Sequence, residues 1–159
     1  MRMPPNPSVK ELLSPHLTDL LRIETRCKEE IEAETDDINL LVAAIAKQKL
    51  LGPFRERLSR IARVCLNNPD ADFWLQRRGS EDTVGRVKMQ FQSVGQQNPK
   101  GEDIGICVTR PDIVNPDYLR AWFEALWRRR YWRQNCYGML NLQHIRLTDV
   151  AKLPVTFAP

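Results

Sequence analysis

The stretch Phe73-Trp74-Leu75-Gln76-Arg77-Arg78-Gly79-Ser80-Glu81-Asp82-Thr83-Val84-Gly85-Arg86-Val87-Lys88-Met89-Gln90-Phe91 decides the fold. Its two ends alternate apolar with polar side chains, the period of half-buried strands, and the polar segment 77–82 between them reads as a turn. Downstream, the polar residues 92–103 read as a loop. Ile104-Gly105-Ile106-Cys107-Val108-Thr109 is short, apolar and β-branched, so it is expected to be a buried strand ended by Arg110-Pro111. Asn115-Pro116-Asp117 carries the signature of a helix start, with Tyr118, Leu119, Trp122, Phe123 and Leu126 forming one apolar face. That helix is expected to run to about Tyr137-Gly138. A turn at 140–142, a short helix within 145–153 and a strand at 155–157 complete the reading.

Upstream the period changes. Leu12, Leu13, Leu17, Leu20, Leu21, Cys27, Ile31, Ile38, Leu41 and Ile45 recur at spacings near three, four and seven, which is helical. Ser14-Pro15 reads as a start and Gly52-Pro53 as a stop, because glycine permits a left-handed cap and proline cannot continue the ladder. Phe54, Leu58, Ile61 and Cys65 then suggest a second, shorter helix to Leu66. The reading is thus α+β: a leader at 1–9, a helical hairpin at 10–66 for docking or dimerisation, and a small mixed β-sheet domain at 70–159 with an arginine-rich helix. The turn formers Asn67-Asn68-Pro69-Asp70 mark the boundary. Ile31, Ile38 and Ile45 repeat every seven residues, but Glu34 and Gln48 interrupt the complementary positions, so a continuous two-stranded seam is not expected. Ile31, Ile38, Leu41 and Ile45 are instead candidate partner-binding residues.

With 159 residues the chain is long enough to bury a core without staples. Its 4 cysteines form no CxxC pair and its 2 histidines stand apart, so neither a zinc site nor a disulfide framework is expected. The N-terminal residues lack the apolar run of a secretory signal, and nowhere do apolar residues continue for a membrane span; the cytoplasm is the expected compartment.

The net charge of +4 is unevenly placed. Residues 120–133 hold Arg120, Arg128, Arg129, Arg130 and Arg133 against Glu124 alone, which by itself accounts for +4. Arginine suits bidentate contact with phosphate or guanine edges. A solvated helix face, or arginines paired with acids elsewhere, explains the same residues. The block Glu29, Glu30, Glu32, Glu34, Asp36, Asp37 would repel phosphate and suits a basic protein surface instead.

No catalytic pattern stands out. GxSxG, HExxH and GxxxxGKS are all missing, and the adjacent carboxylates Asp36-Asp37 and Glu102-Asp103 read as solvated charge. His144 reads as a surface or hydrogen-bonding residue. Trp74 and Trp122 fall on apolar faces and are expected in the core, while Trp127 and Trp132, beside the arginines, are open to either core packing or base stacking. Neither a cofactor nor a metal is expected.

The string Phe73-Trp74-Leu75-Gln76-Arg77-Arg78-Gly79-Ser80 followed by Val84-Gly85-Arg86-Val87 resembles the strand, basic-glycine turn and strand of target-recognition domains in type I restriction-modification specificity subunits. Pro116-Asp117-Tyr118-Leu119 resembles the helix start after their central strand. Gly138-Met139-Leu140-Asn141-Leu142, with Ile145, Val150 and Leu153-Pro154-Val155, resembles their closing segment. The resemblance covers about residues 70–159, is carried by scaffold positions, and implies DNA reading by loops and strands while a companion methyltransferase does the chemistry. A full specificity subunit carries two such domains, whereas this chain has one, shorter, preceded by its helices.

The expectation is a non-catalytic DNA-recognition or DNA-docking subunit. Its candidate contacts to double-stranded DNA are Arg77, Arg78, Arg86 and Lys88 on the hairpin and Arg128, Arg129, Arg130 and Arg133 on the helix. The helices would hold a methyltransferase, another protein subunit or a second copy of the chain. The alternative is a protein-interaction or structural subunit of a phage or defence assembly, its arginines paired with acids. A single DNA-binding surface requires that residues 77–88 and 128–133 converge.

Overall fold

The computed structural model describes residues 9–89, 103–139 and 141–158, with side chains from residue 17 onward. The expected leader, nearly all of the loop at 92–103, and the end of the strand expected at 84–91 lie outside the described residues. The chain is α+β, and it divides into two units, 1–40 and 41–159. Helix α1 runs from Val9 to Leu51, starting ahead of the expected Ser14-Pro15 signal. It stops where the sequence places its stop: Gly52 adopts φ +91° and donates its N–H to the carbonyls of Gln48 and Lys49.

In the first unit, α1 carries ion pairs Lys28–Glu24 at 2.8 Å and Arg26–Glu30 at 3.0 Å, one turn apart. Such exposed pairs add little to stability. Its apolar residues stay in water: Leu20, Leu21, Ile31 and Ile38 are each about 60% exposed.

In the second unit the chain after α1 is not a helix. Strand β1 (Phe54–Arg57), a single turn α2 (Leu58–Ile61) and strand β2 (Ala62–Leu66) replace the expected second helix. Phe54, Leu58, Ile61 and Cys65 satisfy a helical spacing, but they equally satisfy two strands hinged on one turn. Distant partners decide: β1 pairs with β8 (Pro154–Phe157) and β2 with β6 (Asp103–Val108), taking up the backbone groups an isolated helix would bond internally. The hinge buries Leu58 and Ile61 completely.

The expected boundary at 67–70 is likewise corrected. Asn67, at φ +50°, and the Asn68 side chain, which accepts the Asp70 N–H at 3.0 Å, form a turn inside one sheet, whose order is β2–β6–β3–β5 with β3 at Phe73–Gln76 and β5 at Val87–Lys88. Residues 54–66 therefore belong to the same core as the rest. Each described ladder is antiparallel, so the sheet is not mixed as expected. The remaining pair joins β4 (Arg78–Gly79), inside the expected turn, to β7 (Gln143–His144).

Helix α3 (Pro116–Arg128) lies against the sheet, with Leu119 and Phe123 fully buried and the Phe123 ring 5.7 Å from that of Phe73. Its start is as expected: the Asn115 side chain accepts the N–H groups of Asp117 and Tyr118 at 3.0 and 3.3 Å. Such a cap contributes about 1 kcal/mol. The end of α1 is tied to this start through Gln48, itself fully buried. Its Oε1 accepts the Asn115 N–H at 2.7 Å and its Nε2 donates to the Ile113 carbonyl at 2.9 Å. The interruption of the heptad at Gln48 is thus an intradomain anchor.

The helix does not continue to Tyr137. It ends at Arg128, Arg130 enters the left-handed region at φ +59°, and a separate turn α4 (Tyr131–Gln134) follows. The break admits Trp132 to the core at 2% exposed. The single turn α5 (Leu147–Ala151) precedes β8, both as expected. No helix among the described residues is long and apolar enough to cross a membrane.

Candidate nucleic-acid interface

The turn between β4 and β5 is built by its own side chains. The Ser80 N–H donates to Thr83 Oγ1 at 2.9 Å, the Val84 N–H returns to the Ser80 carbonyl at 3.0 Å, and Gly85 donates to Gln76 at 2.8 Å. Gly85 has φ +78°, and the Trp132 indole fills the space that a Cβ there would need. Only glycine meets both demands.

This turn meets the corner between α3 and α4. Arg133 pairs with Asp82 at 2.6 Å and Glu81 at 3.4 Å, Trp127 Nε1 donates to the Asp82 carbonyl at 3.2 Å, and the Arg86 guanidinium lies 5.7 Å from the Trp127 ring centre. Between them is a cleft of about 360 Å³ lined by Glu81, Asp82, Val84, Trp127, Arg128, Arg130, Trp132 and Arg133. Residues of the hairpin and of the arginine segment therefore converge. Of the two open tryptophans, Trp132 is core, and its Nε1 is buried without a hydrogen-bond partner; Trp127 is half-buried in the cleft wall.

The eight candidate cations divide. Arg86, Arg129 and Arg130 are exposed. Arg128 is exposed and paired along its helix with Glu124 at 3.2 Å. Arg78 is exposed in β4. Arg77 is half-buried, donating from Nε to the Ile145 carbonyl at 3.3 Å, and burial, then repulsion from Arg78, pulls its pKa below the ordinary arginine value. Lys88 is turned inward, its Nζ 3.0 Å from the Asp103 carboxylate, with side chains 21% and 4% exposed. Arg133 is held by the two acids of the turn. Sequence counts these charges but cannot show that Asp103, Glu81 and Asp82 tie up two of the eight, Lys88 and Arg133.

Among the partner-binding candidates, Ile31 and Ile38 are 63% and 59% exposed, Leu41 is 43% exposed, and Ile45 is half-buried. The neighbouring Ala44 and Gln48 are buried, which accounts for the lesser exposure of Ile45.

Among the described residues no group of three His, Cys, Asp or Glu side chains could hold a metal. All four thiols are free, with Cys27 exposed and Cys136 half-buried beside Gln143; burial raises the Cys136 pKa.

No family model matches the chain, and no curated protein matches it. Among solved structures it is similar to the S subunit of a type-I restriction-modification system from M. genitalium, at a TM-score of 0.45 and 12% identity over 67% of this chain. The chain spans 34% of that subunit.

Proposed function

We propose that the chain is a non-catalytic DNA-docking subunit in which Arg86, Arg128, Arg129 and Arg130, with Arg78 nearby on β4, contact the phosphates of double-stranded DNA. The observation that carries this reading is the junction of the 80–85 turn with the α3–α4 corner. Four arginines at that junction, Arg86, Arg128, Arg130 and Arg133, meet Glu81, Asp82 and Glu124, leaving +1 around a concave surface with an aromatic wall, and the neighbouring exposed Arg129 adds to it. Lys88 and Arg77 hold the scaffold, and Arg133 fixes the turn, so the interface is smaller than the charge pattern alone implies. The sequence resemblance of residues 73–87 to target-recognition domains points the same way. The exposed apolar residues Ile31, Ile38 and Leu41 of α1, with the half-buried Ile45, would bind a methyltransferase, another subunit or a second copy of the chain.

The test is fluorescence anisotropy of a randomised duplex, titrated with salt, for the wild type and for Arg128→Ala/Arg129→Ala/Arg130→Ala. Each phosphate contact contributes a slope of about 0.9 in log affinity against log salt, so losing up to three arginines lowers the slope by up to ~2.7. Binding by the wild type with an unchanged slope in the variant moves DNA off this surface. Absence of binding at low salt favours a protein-interaction or structural subunit of a phage or defence assembly, a reading supported by the acids already paired with Arg128 and Arg133.

A further inference from the structure

The two-stranded ribbon β1–β8 leaves one edge open. Its register sets Arg55 opposite Thr156 and Arg57 opposite Pro154, and the Leu58 N–H donates to the Leu153 carbonyl at 2.9 Å. Hydrogen-bonded and non-hydrogen-bonded pairs alternate along an antiparallel ladder, so that bond sets the phase. Phe54 and Glu56 bond to β8, while Arg55 turns its N–H and C=O, and Arg57 its N–H, away from it. Pro154, opposite Arg57, has no N–H to offer, in keeping with that phase. On the other edge of the ribbon the Thr156 carbonyl, which points outward by the same alternation, accepts the Tyr118 hydroxyl at 2.9 Å. Among the described residues nothing does the same for the outward groups of Arg55 and Arg57 on β1.

The side chains along that edge are of one sign. Val155 and Phe157 turn inward on β8, and Phe54 and Glu56 share their face, which leaves Arg55 and Arg57 exposed beside the uncharged Thr156 and Pro154. Neither arginine has an ion-pair partner among the described residues. Residues 54–63 hold Arg55, Arg57, Arg60 and Arg63, all exposed, against Glu56 alone, a net of +3, and Glu56 already lies 3.8 Å from Arg60. Charged side chains on a short edge strand guard it against unwanted pairing. Here the guard is selective. A second copy of β1 would set arginine opposite arginine, whereas a strand with acidic residues at alternate positions would meet Arg55 and Arg57 in cross-strand ion pairs.

We propose that β1 is a docking edge for an extended acidic segment of a partner protein, which adds a strand beside β1 and places carboxylates opposite Arg55 and Arg57. The open edge favours a peptide over a nucleic acid. It presents backbone donors and an acceptor at the spacing of a strand, which another peptide backbone matches group for group and which the phosphates of a duplex, acceptors only, do not. The unpaired arginines then choose among peptides by charge. None of the arginines at the α3–α4 corner takes part, so this site and the DNA-docking reading stand or fall separately.

The probe is a fluorescein-labelled peptide in which glutamate alternates with valine, titrated with the full chain and followed by anisotropy. A second peptide carries lysine in place of glutamate. A third keeps the glutamates but has its backbone nitrogens methylated, which removes the ladder donors and leaves the charge. The expected result is saturable binding of the glutamate peptide alone, with slowed hydrogen exchange of the Arg55 and Arg57 amides in the complex. Arg55→Ala/Arg57→Ala should weaken that binding roughly tenfold, as the loss of two cross-strand ion pairs implies. Arg55→Glu/Arg57→Glu should transfer the preference to the lysine peptide, with thermal melts as a control on folding. The methylated peptide and the amide exchange test the wild-type chain and do not depend on any variant folding. No binding at millimolar peptide, equal binding of the lysine or methylated peptide, unprotected Arg55 and Arg57 amides, or unchanged affinity in the alanine variant would overturn the proposal. So would a duplex that displaces the peptide and itself loses affinity in the alanine variant, a result that assigns these arginines to nucleic acid.

Discussion

Gln48→Leu is the substitution whose cost follows most directly from the structure. Leucine matches glutamine in reach but offers no hydrogen bond, so the Asn115 N–H and the Ile113 carbonyl, now bonded at 2.7 and 2.9 Å, lose their partners in a fully buried setting. Each unsatisfied backbone group costs about 1–3 kcal/mol, and the added apolar contact recovers part of that, for a net loss of about 3 kcal/mol. At roughly 2–4 °C per kcal/mol for a chain of this size, the melting temperature should fall by about 6–12 °C. Gln48→Glu sharpens the test. It keeps the acceptor for Asn115 but turns a carboxylate oxygen toward the Ile113 carbonyl, so the folded state raises the pKa of the new carboxyl above the ordinary ~4.3. The native state then binds the proton more tightly than the unfolded one, and stability falls as pH rises. The deficit of this variant relative to wild type should therefore shrink as pH drops from 7 toward 4. Urea unfolding followed by circular dichroism at both pH values measures this. A Gln48→Leu variant within about 0.5 kcal/mol of wild type would refute the anchoring role.

Three further outcomes follow from the second unit and from the thiols. Gly85→Ala forces a left-handed residue and a Cβ into the Trp132 indole, and should cost roughly 2–4 kcal/mol with a shift in tryptophan emission; a variant that melts with wild type would contradict the packing. Lys88→Ala strands the nearly buried Asp103 carboxylate and should lower stability by about 2–4 kcal/mol while leaving duplex affinity within about twofold; a stable variant with weakened binding would return Lys88 to the interface. Alkylation at pH 8, followed by peptide mass spectrometry, should modify exposed Cys27 first and Cys136 last, since burial lowers the thiolate fraction of the latter; the reverse order would place Cys136 at the surface.

Local chemistry was readable from sequence, and long-range choice was not. Asn115-Pro116-Asp117 carries its own capping groups, and Ile104–Val108 is apolar and β-branched enough to be a central strand, so the helix start and the strand fell where expected. Residues 54–66 satisfied two periods at once, and the decision came from β8, about a hundred residues away, and from β6. The end of α3 had no local signal either. Arg130 is an arginine in a conformation that glycine usually supplies, and its reason is Trp132, which reaches the core only if the helix stops. The same division runs through the candidate site. An arginine announces its charge in the sequence, but whether that charge is available depends on an acid such as Asp103 that only folding brings near.

The acids at the junction sharpen the functional argument rather than weaken it. Glu81 and Asp82 sit at the tip of a turn whose backbone is already closed by Ser80 and Thr83, so the hairpin could form without them. Their ion pairs join the turn to α4 through Arg133, and the Asp82 carbonyl joins it to α3 through Trp127. One arginine is thereby converted from a mobile charge into a strut beside Arg128 and Arg130 in a single cleft, with Arg86 against the Trp127 ring of its wall. Losing one phosphate contact reduces the salt-dependent, sequence-independent part of binding. Fixing the others in place lowers the ordering that binding must supply. A surface that only had to be positive would gain from leaving Arg133 free; one that has to present arginines in a set arrangement gains from tying it down, and the second demand is the one a docking surface makes.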